Sequence, residues 1–202
     1  MPAGTYTVFG DEGRPVGTEE FRTAPGIAGS RWFSTIRFSD PAAGEEIVDL
    51  SVDEDWRPVR LRIGTGDHHL ILQRSAQGFY GARDAQRLQI GPVADFYYRS
   101  PGFNAATANR LMTENLTTAD LEVTWVEAGS LELRTSQQRY ERLGEGELRT
   151  RVGRFAAVRW RYTDLNSGWT GELWTGGAIV LSYPGVVELA EYDPVGAGPF
   201  PL

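Results

Sequence analysis

Polar and apolar residues alternate with a period of two along most of this 202-residue chain. Val48, Leu50 and Val52 fall on one side of such a segment, while Asp49 and Ser51 fall on the other. Successive side chains of a strand point to opposite faces of a sheet, so this alternation predicts a strand with one buried face. The pattern recurs at 59–63, 121–125, 158–162 and 179–183. The chain is therefore predicted to be all-β.

Turn-forming residues separate these segments at short intervals. The chain contains 24 glycines and 11 prolines, which is roughly one and a half times average usage. The Asn-Ser-Gly run at 166–168 and the Pro-Gly pair at 184–185 are examples. Connections this short join antiparallel neighbours. We therefore predict one domain over residues 1–202, an antiparallel β-roll or half-open barrel of about a dozen strands, with residues 193–202 as a C-terminal tail.

Residues 96–115 lack the alternation. A Pro-Gly pair at 101–102 marks a turn, and the stretch from Ala105 to Met112 can form about two turns of helix. We predict that this segment is a short helical or irregular connection between two β halves. Connections of this length in a compact domain are more often functional or plug-like than idle. The segment is therefore a candidate binding region.

Charge and composition exclude several classes of partner. All 20 basic residues are arginine, and 27 acidic residues give a net charge of −7, which argues against binding to a phosphate backbone or to anionic lipid by charge. The chain has no cysteine, so it has no disulfide and no thiolate metal site. The N-terminal residues lack the basic and apolar regions of a secretory signal, and no apolar run is long enough to span a membrane. We predict a cytoplasmic protein without a nucleic-acid partner and without integral membrane association.

Catalytic motifs are missing from the sequence. It contains no nucleophile elbow, no dinucleotide- or phosphate-binding glycine loop and no zinc-binding His-Glu-x-x-His. The two histidines, His68 and His69, are adjacent, so on a strand they would point to opposite faces and could not hold one metal together. We therefore predict no catalytic residue, no metal and no cofactor. An acid or base within the barrel remains an alternative that no motif would reveal.

Aromatic residues are more informative about function than the catalytic motifs. The chain contains six Trp, eight Tyr and nine Phe. Core filling is the ordinary role of such residues. A closed sheet of about eight strands can be filled by its own side chains, whereas a roll of more strands encloses additional space. About a dozen strands therefore favour a cavity lined by Leu, Val, Trp and Tyr. Such a cavity would suit an apolar or amphipathic molecule.

Five segments between residues 45 and 192 resemble a bacterial family named for putative glycolipid binding. The segments occur in the order typical of that family: 52–57, 102–111, 124–126, 137–140 and 181–188. The family is similar in fold to the LolA and LolB lipoprotein carriers, which are spiral antiparallel rolls with a wide apolar cavity. The resemblance implies binding of a glycolipid, another amphipathic lipid or another apolar small molecule.

The resemblance also implies binding residues. Asn109 and Arg110 would lie at the mouth of the pocket, where an amide can bind a headgroup hydroxyl and a guanidinium can pair with phosphate or carboxylate. Tyr140 and Tyr183 would present amphipathic rings at the rim. The matching segments also contain two further candidates, Trp56 and Trp125. Alternatively, Asn109 braces the connection and Tyr140 belongs to the core.

Three hypotheses for function follow from the sequence. The first is a non-enzymatic protein that takes the acyl part of an amphipathic lipid into its apolar interior. The second is an enzyme that uses the same cavity, such as a hydrolase or isomerase with a His or Asp base. The third is a β scaffold that is packed by its own side chains and acts only through its surface. An open apolar cavity of several hundred Å³ would favour binding, whereas a packed interior would favour the scaffold.

Overall fold

The computed structural model describes residues 1–10, 12–26 and 29–196. Within these residues it has one α-helix and fifteen strands that form one sheet. The elements are β1 Ala3–Phe9, β2 Pro15–Gly26, β3 Gly29–Phe38, β4 Glu45–Val52, β5 Pro58–Gly64, β6 His69–Ser75, β7 Gly78–Arg83, β8 Gln86–Ile90, β9 Phe96–Tyr97, α1 Pro101–Thr113, β10 Thr118–Val126, β11 Leu133–Thr150, β12 Gly153–Asp164, β13 Thr170–Gly176, β14 Ile179–Tyr183 and β15 Val187–Asp193. Of the predicted C-terminal tail, residues 197–202 lie outside the described residues.

The strands follow one another around the sheet with one interruption. β1 to β8 form one antiparallel series, β10 to β15 form another, and β1 pairs with β15. β8 and β9 are the two edge strands, and β9 pairs in parallel with β10. Phe79 of β7 and Phe96 of β9 meet edge to face, with ring centroids 5.0 Å apart. The sheet therefore curls until its edges approach each other without closing, which confirms the predicted half-open antiparallel roll.

The structure has fifteen strands where about a dozen were predicted. The difference comes from short strands, because β9 has two residues and β8 has five mainly polar ones. Such segments contain too few apolar residues to show a period of two. The longer strands match the prediction: Val48, Leu50 and Val52 of β4 are all buried in the core.

The central connection forms the helix α1, which crosses the concave side of the sheet. It has 13 residues rather than two turns, and it packs against β14, β4 and β9. Glycine is required at its start, because a Cβ atom on Gly102 would lie 2.6 Å from the Trp32 ring. Small side chains, including Ala105, Ala106 and Ala108, are buried along the rest of the helix.

α1 occupies the concave side of the sheet, where the sequence predicted a wide apolar cavity. The crevice beside the helix, between Trp32, Trp56 and Ala106, holds only about 20 Å³, which is room for about one water molecule. The connection was expected to be short, helical or irregular, and either functional or plug-like, and its small residues allow the helix to fill the interior. The interior next to α1 is thus packed.

Buried carboxylates fasten the start of this connection to the sheet. The Ser100 hydroxyl donates a hydrogen bond to Glu19 of β2 at 2.5 Å. The Tyr98 hydroxyl donates to Glu46 of β4 at 2.7 Å, and Arg99 pairs with the same carboxylate at 2.9 Å. Glu19 and Glu46 are only 1% and 3% exposed. The entry into α1 is therefore fixed by hydrogen bonds and an ion pair to two buried acidic side chains inside the roll.

Candidate functional site

Four tyrosines converge on the concave face, and we call them the tyrosine cluster: Tyr97, Tyr140, Tyr162 and Tyr183. Tyr162 is central, since its ring centroid lies 5.9 Å from that of Tyr97, 5.4 Å from that of Tyr140 and 6.4 Å from that of Tyr183. Tyr140 of β11 and Tyr162 of β12 are directly opposite in the strand register, which places them on the same face. The cluster is therefore a consequence of strand pairing.

Three polar atoms in this region are buried without a hydrogen-bond partner. They are the hydroxyls of Tyr162 and Tyr183 and the Nε2 atom of Gln138, whose side chains are at most 2% exposed. Gln138 precedes Tyr140 by two residues on β11 and so faces the same side. The Tyr140 hydroxyl, by contrast, accepts a hydrogen bond from Asn104 of α1 at 2.9 Å. A buried polar group without a partner costs about 1–3 kcal/mol, so a molecule that supplied partners here would be bound favourably.

Burial keeps the cluster hydroxyls protonated. It raises the pKa of Tyr97 to about 12 and raises the pKa of Tyr140, Tyr162 and Tyr183 above the usual value of 10.0. Neighbouring tyrosines act in the same direction on Tyr162 and Tyr183. The hydroxyls are therefore neutral hydrogen-bond donors and acceptors at physiological pH, rather than bases or nucleophiles.

Two tryptophans border the cluster. The Trp125 ring of β10 stacks on Tyr97 with a centroid distance of 4.5 Å. Trp169, which directly precedes β13, lies 5.8 Å from Tyr162 and 6.0 Å from Tyr183 and is 46% exposed. The cluster thus has one side at the surface. Aromatic faces combined with neutral hydroxyl and amide groups can bind a molecule that has both apolar faces and hydroxyls.

The structure brings three of the six predicted site residues together. Tyr140 and Tyr183 are members of the cluster and Trp125 borders it. Tyr140 is fully buried and Tyr183 is 1% exposed, so both lie deeper than the predicted rim.

The other three predicted residues are not members of the cluster. Trp56 is in the β4–β5 turn with a φ of 63° and lines the crevice beside α1. The Asn109 amide donates to the carbonyls of Ala105 and Gly177, both at 2.8 Å. Gly177 precedes β14, whereas Tyr183 ends that strand, so Asn109 contacts the end of β14 opposite to the cluster. Asn109 therefore braces α1 against the β13–β14 turn.

Arg110 forms ion pairs with two neighbouring carboxylates, those of Asp95 and Glu114. It is 4% exposed, and its guanidinium makes two hydrogen bonds to Asp95, at 3.1 and 2.5 Å. A third, at 2.7 Å, goes to Glu114 one turn later, and Glu114 also pairs with Arg57 at 2.7 Å. Hydrogen bonds and charge attraction from the carboxylates outweigh burial and raise the pKa of Arg110. The guanidinium that was predicted to meet a lipid headgroup thus holds the connection together in this structure.

Sequence reasoning missed Tyr97, Tyr162, Trp169 and Gln138. The alternation of Val158, Trp160 and Tyr162 was visible, and it identified an inward face without distinguishing Tyr162 from its neighbours. Tyr97 lies in the two-residue strand β9, which has no pattern of its own. Only the pairing of β9 with β10 brings it to the cluster.

The histidines lie outside the cluster. His68 is 43% exposed in its side chain and makes a 2.8 Å contact with Asp84 through Nδ1, and His69 is exposed. Neither histidine faces the concave interior, which is where the enzyme hypothesis requires a base.

No helix in the described part of the chain is long and apolar enough to cross a membrane.

Comparisons with known proteins connect this geometry to a family and to solved folds. The model of a family described as "Putative glycolipid-binding" matches residues 14–171. The resemblance was assigned to residues 45–192, so the match begins 31 residues before that region and ends 21 residues before its end. Two solved structures resemble the fold. A DUF1089 family protein from Pseudomonas aeruginosa has a TM-score of 0.62 at 20% identity, with 87% of this chain and 92% of that chain covered. A β-barrel-like DUF1849 protein from Brucella abortus has a TM-score of 0.54 at 10% identity, with coverage of 95% and 96%.

Curated relatives match over a short segment. Leucine–tRNA ligases from Bacteroides thetaiotaomicron and Rhodopirellula baltica are 41% and 36% identical over 58 residues, or 27% of this chain. The chain spans about 6% of the length of these relatives.

Proposed function

This chain belongs to the family described as "Putative glycolipid-binding", and from that premise we propose that the tyrosine cluster binds the sugar headgroup of a glycolipid or a similar amphipathic lipid without catalysing a reaction. The observation that carries the proposal is the set of three buried polar atoms without partners on Gln138, Tyr162 and Tyr183. A sugar offers several hydroxyls that both donate and accept, and it has apolar faces that stack on aromatic rings. Each of the three atoms would gain a partner from such a ligand.

The neutral state of the cluster supports binding rather than chemistry. Burial raises the pKa of its hydroxyls, so none is available as a base near neutral pH. A lipid in contact with these groups would be held by hydrogen bonds and ring stacking.

Fractionation of cells that express the tagged chain tests the cytoplasmic location expected from the sequence.

The acyl chain of such a ligand has little room beside α1, where the crevice holds about 20 Å³. We infer that entry of an acyl chain into the roll requires α1 to move away from the sheet. Amide hydrogen exchange of α1 should then increase when lipid is bound, because the hydrogen bonds of Asn109 and the close contact of Gly102 with Trp32 would be lost.

The experiment compares two sets of tyrosine variants. Tyr162→Phe and Tyr183→Phe remove hydroxyls that have no partner in the free protein, so each should leave the free energy of unfolding unchanged or raise it by about 1 kcal/mol. Each should also weaken binding of octyl glucoside about threefold to tenfold, since one hydrogen bond to the ligand is lost. Tryptophan fluorescence is a direct readout, because Trp125 and Trp169 border the cluster.

Two controls make the result specific. Tyr140→Phe leaves the Asn104 amide without its partner and should destabilise the free protein by about 1–3 kcal/mol. Tyr80→Phe changes a tyrosine that is 54% exposed on β7 and should alter neither stability nor binding. Equal affinity of all four variants would refute the assignment of the cluster. A protein that carries no lipid in native mass spectrometry and binds no octyl glucoside would refute the function itself.

The packed interior favours a second candidate function, a scaffold that acts through its outer surface. In that case only water would form hydrogen bonds with the buried polar atoms of Gln138, Tyr162 and Tyr183. Saturation with octyl glucoside would then change neither the melting temperature nor the tryptophan emission, whereas ligand binding at the cluster would raise the melting temperature by mass action.

A further inference from the structure

The face of the sheet opposite the core carries a groove of about 640 Å³ across β3, β4, β5 and β6, and we call it the outer groove. Its position follows from the strand register. Leu50 of β4 and Leu61 of β5 are paired and buried in the core, so their neighbours Asp49 and Arg62, also paired, point to the other side. The groove is separate from the tyrosine cluster, which lies on the concave face.

One end of the groove is an ordered array of guanidinium groups. Asp49 is 4% exposed although it lies on the outer face. Arg31 binds it with two hydrogen bonds of 2.7 and 2.9 Å, and Arg60 adds a third of 2.6 Å. Burial alone would raise the pKa of Asp49, but the two arginines outweigh it and lower that pKa. Asp49 is therefore a permanent anion that holds two guanidinium groups in fixed positions.

The same end has unused donor capacity. The Nε atom of Arg60 is buried and has no hydrogen-bond partner. Arg62 lies directly opposite Asp49 on the neighbouring strand, is exposed, and forms no ion pair with any residue that the structure describes. Planar guanidinium groups bind carboxylate and phosphate through two parallel hydrogen bonds. This end therefore matches an oxyanion, and it does so in a chain whose net charge is −7.

Apolar side chains adjoin the arginines: Ile47 lies opposite Gly64, and Ile71 lies directly opposite Arg62. Ile47 of β4 is 44% exposed and Ile71 of β6 is 45% exposed. Between them, on β5, Gly64 has no side chain and leaves a gap beside His69, whose ring would be 3.5 Å from a Cβ atom at that position. Ile47 beside Gly64 and Ile71 beside Arg62 provide a surface for an apolar chain next to the guanidinium groups.

We propose that the outer groove binds amphipathic anions, with a carboxylate or phosphate on Arg62 and Arg60 and an apolar chain over Ile47, Gly64 and Ile71. The Arg60 guanidinium, held by Asp49, orients the charged end, and the gap at Gly64 admits the chain. The lining contains three arginines against the two carboxylates of Asp49 and Glu45, so the anion meets a net positive site. The proposal does not depend on the function proposed for the tyrosine cluster.

Binding of dodecyl phosphate, measured by titration calorimetry below its micelle concentration, tests the outer groove. Arg62→Gln and Ile47→Ser both change exposed side chains, so both variants should fold. Arg62→Gln should weaken binding at least tenfold, because a charge-assisted hydrogen bond is lost. Ile47→Ser should weaken it about threefold or more. Raising the salt concentration should weaken binding further, because the site is partly exposed.

Matched controls separate this site from other sources of affinity. Arg149→Gln removes an exposed arginine of β11 that also has no ion pair among the described residues, and Tyr183→Phe alters the tyrosine cluster; neither should affect dodecyl phosphate. Inorganic phosphate and dodecyl maltoside, which provide the anion and the chain separately, should each bind at least tenfold more weakly. Equal weakening by Arg149→Gln and Arg62→Gln would overturn the proposal, as would equal affinity for inorganic phosphate or no binding of dodecyl phosphate.

Discussion

Replacing the buried Glu19 by glutamine should stabilise the protein above neutral pH. Glu19 is 1% exposed, and burial is the largest cause that raises its pKa from 4.5 to about 7, although hydrogen bonds from Ser100, Ser34 and Trp32 oppose the rise. The negative charge of Glu46 acts in the same direction as burial. The folded protein therefore binds a proton at this position more tightly than the unfolded chain.

The direction and the size of the effect follow from linkage. A carboxyl whose folded pKa is raised contributes stability that is complete below pH 4.5 and is lost as the pH rises through about 7. One pKa unit corresponds to about 1.36 kcal/mol, so the rise from 4.5 to about 7 corresponds to about 3 kcal/mol. Glu19→Gln is neutral at every pH and keeps an oxygen that accepts from Ser100. The variant should match the wild type near pH 4.5 and exceed it by about 3 kcal/mol above pH 8.

Urea unfolding at several pH values between 4.5 and 8.5 measures this difference. The informative quantity is the free energy of unfolding of the variant minus that of the wild type, because all other titrating groups cancel. Glu20→Gln is the control: Glu20 is the exposed neighbour on the opposite face of β2, and its replacement should change the free energy by less than about 0.5 kcal/mol. A difference for Glu19→Gln that stays constant with pH, or is negative above pH 8, would refute the reasoning.

Three further predictions concern α1 and its contacts. Arg110→Ala leaves the buried Asp95 without its cation and should destabilise the protein by about 3–5 kcal/mol, measured by urea unfolding; a loss below about 1 kcal/mol would contradict the buried ion pair. Gly102→Ala brings a Cβ atom to 2.6 Å from the Trp32 ring and should cost about 1–3 kcal/mol, seen as a lower melting temperature. Asn109→Ala removes two hydrogen bonds and should cost about 1–2 kcal/mol. The loss should be accompanied by faster amide hydrogen exchange in the β13–β14 turn, and an unchanged rate there would contradict the bracing role.

The fold was predictable because its signal is local. Alternation in segments such as 48–52 identifies a half-buried strand without reference to any other part of the chain, and short turns require antiparallel neighbours. β9 was missed because its two residues contain no period, and its parallel pairing with β10 depends on residues that lie 28 positions later, since Phe96 pairs with Thr124 and Tyr97 with Trp125. The helix was underestimated at two turns because most of its buried side chains are small or polar rather than arranged in an apolar stripe.

The candidate site was only partly predictable. Tyr140 and Tyr183 were singled out by resemblance, but the hydrogen-bond state of their hydroxyls is a property of the packed structure. Asn109 and Arg110 were chosen as headgroup ligands because their side chains suit that role, and they instead brace α1 and pair with Asp95. A sequence shows which donors are present; the neighbours that saturate them are set by tertiary contacts.

Three properties could be predicted without the structure: the antiparallel roll, the long connection between its two halves and the inward-facing residues of each long strand. Those properties depend on the order of residues within short segments. Only the tertiary structure decided that the connection fills the roll as a helix, that the hydroxyls of Tyr162 and Tyr183 are left without partners, and that Asp49 is buried on the outer face. These depend on the distances between strands that are remote in sequence, and alternation contains no information about how much space those strands leave.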